Sequence, residues 1–372
     1  MSELATGIRI LDLSRVLAGP LCGMILGDLG ADVIKVERPG AGDESRGWGP
    51  PFDPEGLSAY FLCCNRNKLS IALDFDSTAD RHVLLRLVAG ADVVLENFRP
   101  GTLDSRGISA DDLLAENAKL IWCTVSGFGP GSARPGYDFV IQAECGWMAV
   151  TGEPAGEPMK SGMALADVLA GKDASIAILA ALLRRSLAPA PLPVDARRLH
   201  VSLAHSATAA LINVGQNVLV GGSEARRWGN AHANLVPYQL FQAADRAIVI
   251  AVGNDGQWSS ACRALGLDSL AADAGLAANA GRLAQRDRVV GEIAARVRTA
   301  RAEHWLGALE TVGVPCGVVR PVREALANVD ADPSSGIAPS VPGSIRRPPP
   351  QLDEHGMRIR SEGWDAFRTV GN

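Results

Sequence analysis

Residues 162–171, GMALADVLAG, set one acidic residue, Asp167, among small apolar side chains between two helical patterns. Few of these neighbours could solvate a carboxylate, and desolvation raises the free energy of the anion and its pKa with it. Such an acid can serve as a nucleophile. In the plainer reading it is a helix cap or a buried, hydrogen-bonded Asp, and the segment alone leaves both open.

The elements around it belong to a parallel α/β arrangement. Residues 8–13 read as an apolar strand, 19–29 as a helix with Pro20 in its first turn, and 32–37 as a second strand. Ser77 suits the cap of a helix to Val88, with Gly90 ending it in a left-handed position. Residues 92–96 follow as a strand, Ser109 caps another helix, and 120–126 form its strand. Strands alternating with such helices predict a doubly wound parallel sheet that holds its ligand at the carboxyl ends of the strands.

Those ends carry RVLAGP (15–20), ERPGAGD (37–43), ENFRPG (96–101) and SGFGPG (126–131). Each joins glycine to a polar or basic group, and glycine lets backbone N–H groups approach a phosphate. One such loop reads as a plain turn; a succession of them points to a phosphate-bearing ligand. A nicotinamide dinucleotide is disfavoured, because the first loop lacks GxGxxG and Glu37 alone is a weak ribose signal.

Further on, 137–150 and 172–187 read as apolar helices bracketing an Asp167 loop, and the proline-rich stretch 186–198 reads as a surface turn or linker. A helix is expected over 206–220. Near Tyr238 a second organisation begins: a strand, a turn at 244–247, a strand over 248–252, and helices near 257–265 and 285–312, a smaller α+β domain. The tail from Asp332 is expected to lie over a surface with little regular structure.

Composition excludes several classes. The chain has 372 residues, 47% hydrophobic and 21% charged, which suits a globular protein of two domains. A net charge of −5, spread along the chain, argues against nucleic-acid and anionic-membrane partners. No apolar run reaches the roughly 18 residues of a membrane span, and the start MSELATGIRI lacks the charge and apolar pattern of a leader, so a cytoplasmic location is expected. The seven cysteines have no CxxC spacing and the six histidines no HxH or HExxH pattern, so no metal is expected.

The run VLAGPLCGMILGDLGADVIKVERPGAGDESRGWGPP, followed by NRNK, ENFRPG, SGFG, RPGYD, ADVLAG and GNAHANLVPYQLF, resembles the class III CoA-transferase family from about residue 6 to about 355. Its members include formyl-CoA transferase, the carnitine CoA-transferases and the α-methylacyl-CoA racemases. Through RRWGNAH, VPYQ, GNDGQ and the late VPG and RPPP segments, the chain is most similar to the succinate to glutarate or hydroxymethylglutarate branch.

The resemblance implies a large Rossmann-like CoA-binding domain (1–200), a linker (201–235), a small domain (236–328) and a return to the large domain (329–372), in a homodimer of interlocked ring-shaped subunits. It implies that Asp167 attacks a donor thioester to give a mixed anhydride and then an aspartyl-CoA thioester. Coenzyme A is then a substrate and no cofactor is permanently bound. Gly253, Asn254, Asp255, Gly256 and Gln257 match the mobile loop that closes over the site. Val16, Ala18, Arg38, Leu73, Asn97, Phe98, Arg106 and Tyr137 stand where members contact CoA, with Tyr137 and Asp138 also at the substrate. Asp76 stands where a basic CoA contact can occur, LDSRG displaces Arg106 by one residue, and His200 replaces a usual aspartate.

Leu17 replaces the glutamine of formyl-CoA transferase, and Tyr137 replaces the histidine with which family racemases move a proton. Tyrosine, with a pKa of about 10, is a poor base at neutral pH. The resemblance therefore favours transfer of CoA to a small dicarboxylate such as succinate or glutarate, its second carboxylate gripped by Arg226 and Arg227. A 2-methylacyl-CoA racemase and a non-catalytic CoA-binding protein are the alternatives.

Overall fold

The computed structural model describes residues 4–370, and the chain divides into two compact units. The first runs up to Trp147, over Lys160–Gly221, and from Leu326 onward; the second comprises Met148–Met159 and Gly222–Ala325.

The first unit is built on β1 (Arg9–Asp12), α1 (Ala18–Asp28), β2 (Asp32–Glu37), β3 (Lys68–Ala72), α2 (Thr78–Ala89), β4 (Val93–Glu96), α3 (Ala110–Glu116), β5 (Ile121–Ser126), α4 (Asp138–Glu144), α5 (Leu165–Leu187), β6 (Arg198–Ser202), α6 (Leu203–Ala209) and α7 (Ile212–Gly221). The strands form one parallel sheet in the order β3-β2-β1-β4-β5-β6. From β1 the chain winds outward to β3, then restarts on the other side with β4. The loops leaving β1 and β4 therefore diverge, which opens a crevice at the carboxyl ends of these two strands.

Alternation sends Ile10, Val33, Val93 and Cys123 to one face, against α1 and α5. Leu11, Ile34, Val94 and Trp122 pack on the other, against α2, α3 and the returning C-terminal segment. The hydroxyls of Ser77, Ser109 and Ser202 accept the N–H groups of Asp80, Asp112 and His205 and so start α2, α3 and α6.

Several expectations change. Gly90 is not left-handed, having φ −97°; a Cβ there would meet Trp364 Cδ1 at 2.8 Å, so close packing requires the glycine. Asp167 lies in no loop, because α5 runs unbroken from Leu165 through Gly171 to Leu187. The expected helices over 137–150 and 206–220 are each two shorter ones, and the supposed linker ends in β6, paired to β5. The tail carries a pair of two-residue strands and a helix over 356–362, and Arg66, Asn67 and Arg346 tie it down by hydrogen bonds across the first unit.

In the second unit, β7 (Tyr238–Gln242), β8 (Ala247–Ala251) and β9 (Cys316–Val318) make an antiparallel sheet covered by α8 (Asp255–Leu265), α9 (Arg286–Val297) and α10 (Ala302–Thr311). The expected hairpin is β7–β8. The long helix expected over 285–312 breaks before α10, where Asp245 Oδ1 accepts the Ala302 N–H at 2.8 Å. Trp258, Trp305 and Phe241 fill the core. In the first unit, α11 (Gly356–Glu362) is followed by a 3-10 helix, Gly363–Val370.

Candidate active site

Asp167 sits in the first turn of α5, and its place is set by a close approach one turn later. A Cβ on Gly171 would lie 2.6 Å from the Ala18 carbonyl oxygen, so only glycine lets α5 cross the start of α1. That crossing carries Asp167 to the 15–18 loop. The helix start is fixed by Asp138: its Oδ1 accepts the Ala166 N–H at 2.8 Å, and its Oδ2 accepts from Gln142 Nε2 at 2.6 Å. The buried Gln142 in turn accepts the Ser161 N–H at 2.8 Å.

Asp167 itself accepts no hydrogen bond and has no ion pair among the described residues. Burial, and then the neighbouring Asp138 charge, push its carboxyl up to about 7. At neutral pH it is poised between acid and anion, without a cation to quench its nucleophilicity.

Asp167 lines a cleft of about 420 Å³ together with Val16, Ala18, Asn97, Phe98 and Tyr137, all named from the sequence. The loop after β1 is held from two sides. Asn97 pairs with the Arg15 backbone, accepting its N–H at 2.9 Å and donating to its carbonyl at 2.7 Å. Val16 has φ +73°, a strained position for a β-branched residue, and donates its N–H to Asp43 at 3.1 Å. Asp43 is anchored by Lys35 at 2.9 Å, both side chains fully buried. On the far side, Gly127 and Gly136 meet backbone to backbone, since a Cβ on Gly127 would stand 2.6 Å from the Gly136 Cα.

Arg15, Arg99 and Arg134, from the RVLAGP, ENFRPG and RPGYD segments read in the sequence, also line the cleft, whereas the sequence reading missed Glu44. Arg15 pairs with Glu44 at 2.6 Å and lies over Phe98, its guanidinium carbon 5.1 Å from the ring centre. It also missed Tyr60, whose phenol is pushed up to about 12 by burial and then by the Asp167 charge. Tyr60 packs edge-on against Trp48 at 5.0 Å. Their only sequence signal was polarity or aromaticity beside a strand-end glycine loop. A larger hollow of about 640 Å³ lies at the amino ends of the strands, lined by Arg9, Asp32 and Asp92. It contains none of the residues singled out for chemistry, and ligands of such sheets bind at the opposite edge.

Other named residues lie elsewhere. Arg38 is exposed and Leu73 is buried in the core, neither lining the cleft. Arg106 pairs with Asp76 at 3.2 Å, so the two departures meet each other. His200 Nε2 lies 3.0 Å from Ser126 Oγ, which accepts the Gly129 N–H at 3.1 Å; His200 thus steadies the SGFG turn. Burial, and then Arg198, hold its pKa below the usual range.

In the second unit, residues 253–257 open α8. Asn254 Oδ1 accepts the Gln257 N–H at 2.9 Å, Gln257 Oε1 accepts the Gly253 N–H at 2.8 Å, and Asp255 pairs with Arg282 at 2.7 Å. These bonds form a capping arrangement, with Gly256 in its first turn. Arg226 lies over Trp228, whereas Arg227 donates to the carbonyls of Glu153 and Gly156. Among the described residues no helix is long and apolar enough to cross a membrane, and no group of three or more His, Cys, Asp or Glu could hold a metal ion.

Comparison with known proteins gives the chain's family. The model of CoA-transferase family III matches residues 6–339. Succinate–glutarate CoA-transferase of Agrobacterium fabrum is 38% identical, the match covering 98% of this chain and 97% of that protein. Succinyl-CoA:glutarate CoA-transferase of Mus musculus is also 38% identical, over 96% of this chain and 85% of its own. A crystal structure of a CaiB/BaiF family protein from Brucella suis superposes with a TM-score of 0.83 at 39% identity, covering 96% of this chain and 98% of that one.

Proposed function

We propose a reaction course for this chain, which belongs to CoA-transferase family III and is a CoA-transferase, that runs through the Asp167 carboxylate to a small dicarboxylic acid. The observation that carries it is a carboxylate raised to about 7 in a strand-end cleft, with no ion pair among the described residues.

An Asp167 oxygen attacks the donor thioester carbonyl, the C–S bond breaks, and the sulfur leaves as CoA thiolate. The product is a mixed anhydride. The thiolate then attacks the Asp167 acyl carbon, expels the donor's carboxylate and leaves an aspartyl-CoA thioester. The acceptor carboxylate attacks that thioester, the thiolate returns to the acceptor's acyl carbon, and Asp167 is regenerated. The carboxylate is unchanged over the cycle, and no proton need be stored. Anhydrides hydrolyse readily, so water must be excluded while they exist; Gly253, Asn254, Asp255, Gly256 and Gln257 are proposed as the segment that does so.

Val16, Ala18, Asn97, Phe98 and Tyr137 are proposed to contact CoA from the cleft, and Arg38, Leu73 and Arg106 by resemblance to the family. Tyr137 and Asp138 lie on the substrate side in this reading. No histidine stands among the lining residues of the cleft, which favours transfer over exchange of the proton next to the thioester. The named glutarate enzymes at 38% identity support a dicarboxylate acceptor, for whose second carboxylate the sequence offers Arg226 and Arg227.

The proposal extends to a cytoplasmic homodimer of interlocked subunits with a large domain, a linker and a small domain. Ile176, Leu179, Leu183 and Leu187 support the association, because they recur at helical spacing along α5 and remain exposed in the single chain. Sedimentation at nanomolar concentration tests this, and a reversible monomer would overturn the interlocked arrangement. The reaction is tested by borohydride or hydroxylamine trapping with mass spectrometry. Modification of the Asp167 peptide only after addition of succinyl-CoA is expected; its absence during active turnover would overturn the covalent course.

A further inference from the structure

Trp228 carries two guanidiniums. The Arg226 carbon stands 3.9 Å from the ring centre and the Arg286 carbon 4.7 Å, so two positive charges share one indole. Neither forms an ion pair with a carboxylate among the described residues. Arg286 Nη2 is tethered instead to the carbonyls of His232 and Ala233, at 3.0 and 2.9 Å.

Like charges this close repel, and cation–π attraction of about 0.5–1 kcal/mol per exposed pair only partly offsets that. Arg286 is also the first residue of α9, where the free N–H groups of a helix start add a partial positive charge. Burial, and then the Arg226 charge, hold Arg286 below the usual arginine range, while the adjacent Asp287 opposes them. The place is therefore short of negative charge. Arg227 is not its second cation, since its guanidinium donates to Glu153 and Gly156 carbonyls at 3.1 and 2.7 Å. That role falls to Arg286, 60 residues from Arg226 in the chain and invisible to any local motif.

We propose that Arg226, Trp228 and Arg286 form an oxyanion-binding site on the second unit, and that it takes a carboxylate of a small organic acid. Planar guanidinium forks suit a planar carboxylate, and the indole fixes their orientation. The choice of carboxylate over phosphate rests on the dicarboxylate reading above; the site itself does not.

Isothermal titration of the full-length protein separates the two. Glutarate, adenosine 3′,5′-bisphosphate and CoA are titrated into the wild type, Arg226→Gln, Arg286→Gln and a control, Arg298→Gln. Both site variants are expected to weaken glutarate about tenfold, the worth of one charged hydrogen bond, while the control leaves it unchanged. Binding of CoA by the variants shows that they are folded. If neither glutarate nor the bisphosphate weakens in either variant, the site is overturned; if the bisphosphate alone weakens, the carboxylate assignment is overturned. Arg286-dependent glutarate binding in a protein that transfers CoA to no acid would support the site and defeat the dicarboxylate reaction separately.

Discussion

Two regions of the first unit bury carboxylates, with opposite results. Beneath the loops, Asp12 pairs with Lys68 and Asp43 with Lys35, each at 2.9 Å and fully buried, and Glu37 pairs with Arg46 at 2.7 Å. Burial alone would push Asp43 up, but the Lys35 charge and the Ser45 amide bring it to about 2. At the start of α5, burial and the Asp138 charge act together on Asp167 and carry it to about 7. Burial is common to both regions and the partner decides the sign. The paired acids brace the loops, whereas the unpaired acid is left free to react.

The sharpest way to break this contrast is to remove the unpaired acid. Asp167→Asn should cost on the order of 10⁴-fold in turnover, because no other group forms the covalent bond. Its effect on folding should be small and of the opposite kind. A carboxyl whose folded pKa is raised costs stability as pH climbs from its unfolded value of about 3.9 toward about 7. The Asn variant should therefore melt higher than wild type at pH 8 and equally at pH 4. Near-normal turnover in Asp167→Asn would erase the distinction between the regions.

In the braced region the damage should fall on stability instead. Lys68→Met leaves Asp12 buried without its cation, a loss of about 3–5 kcal/mol by the usual cost of breaking a buried pair, read by urea unfolding. The paired acids also set an acid limit. Their folded pKa values are depressed, so the stability they contribute is present above about pH 4 and is lost as pH falls toward about 2, the value of Asp43. Unfolding curves between pH 5 and 2 check the sign.

The same contrast explains what the sequence disclosed. β1, β2, β4 and β5 are apolar runs between turn residues and could be read directly. β3 and β6 could not: KLSIA begins with Lys68, whose burial depends on Asp12, 56 residues earlier, and RLHVS follows a proline tract that signals a turn. Asp167 was legible because its neighbours could not solvate it. Its placement on a helix was obscured by Gly171, which serves a crossing with α1 rather than a break. Glu44 and Tyr60 carried no pattern of their own, since only the convergence of loops gives them a role.

A smaller change should tune the unpaired acid without removing it. Asp138→Asn keeps a side-chain oxygen for the Ala166 N–H but takes away the charge that helps raise Asp167. The acid limb of the kcat/KM profile, which follows ionisation of the nucleophile, should move to lower pH by up to about one unit. Burial, the larger cause, remains and should keep the limb above the ordinary Asp range. A limb that stays in place would assign the whole shift to desolvation.

The smallest expected effect concerns Val16, where the bracing and the cleft meet. At φ +73° a β-branched residue bears about 1–2 kcal/mol of backbone strain, held in place by the Asp43 and Asn97 contacts on either side. Val16→Gly relieves that strain and gives the unfolded chain more freedom, of comparable size, so net stability should change by less than about 1 kcal/mol. The loop should nonetheless become less ordered, and the Km for acyl-CoA should rise while kcat changes less, because Asp167 is placed by α5 and Gly171 rather than by this loop. A matching fall in kcat would mean that the strained loop positions the reacting thioester itself, and that bracing and reactivity are less separable than the two sets of carboxylates imply.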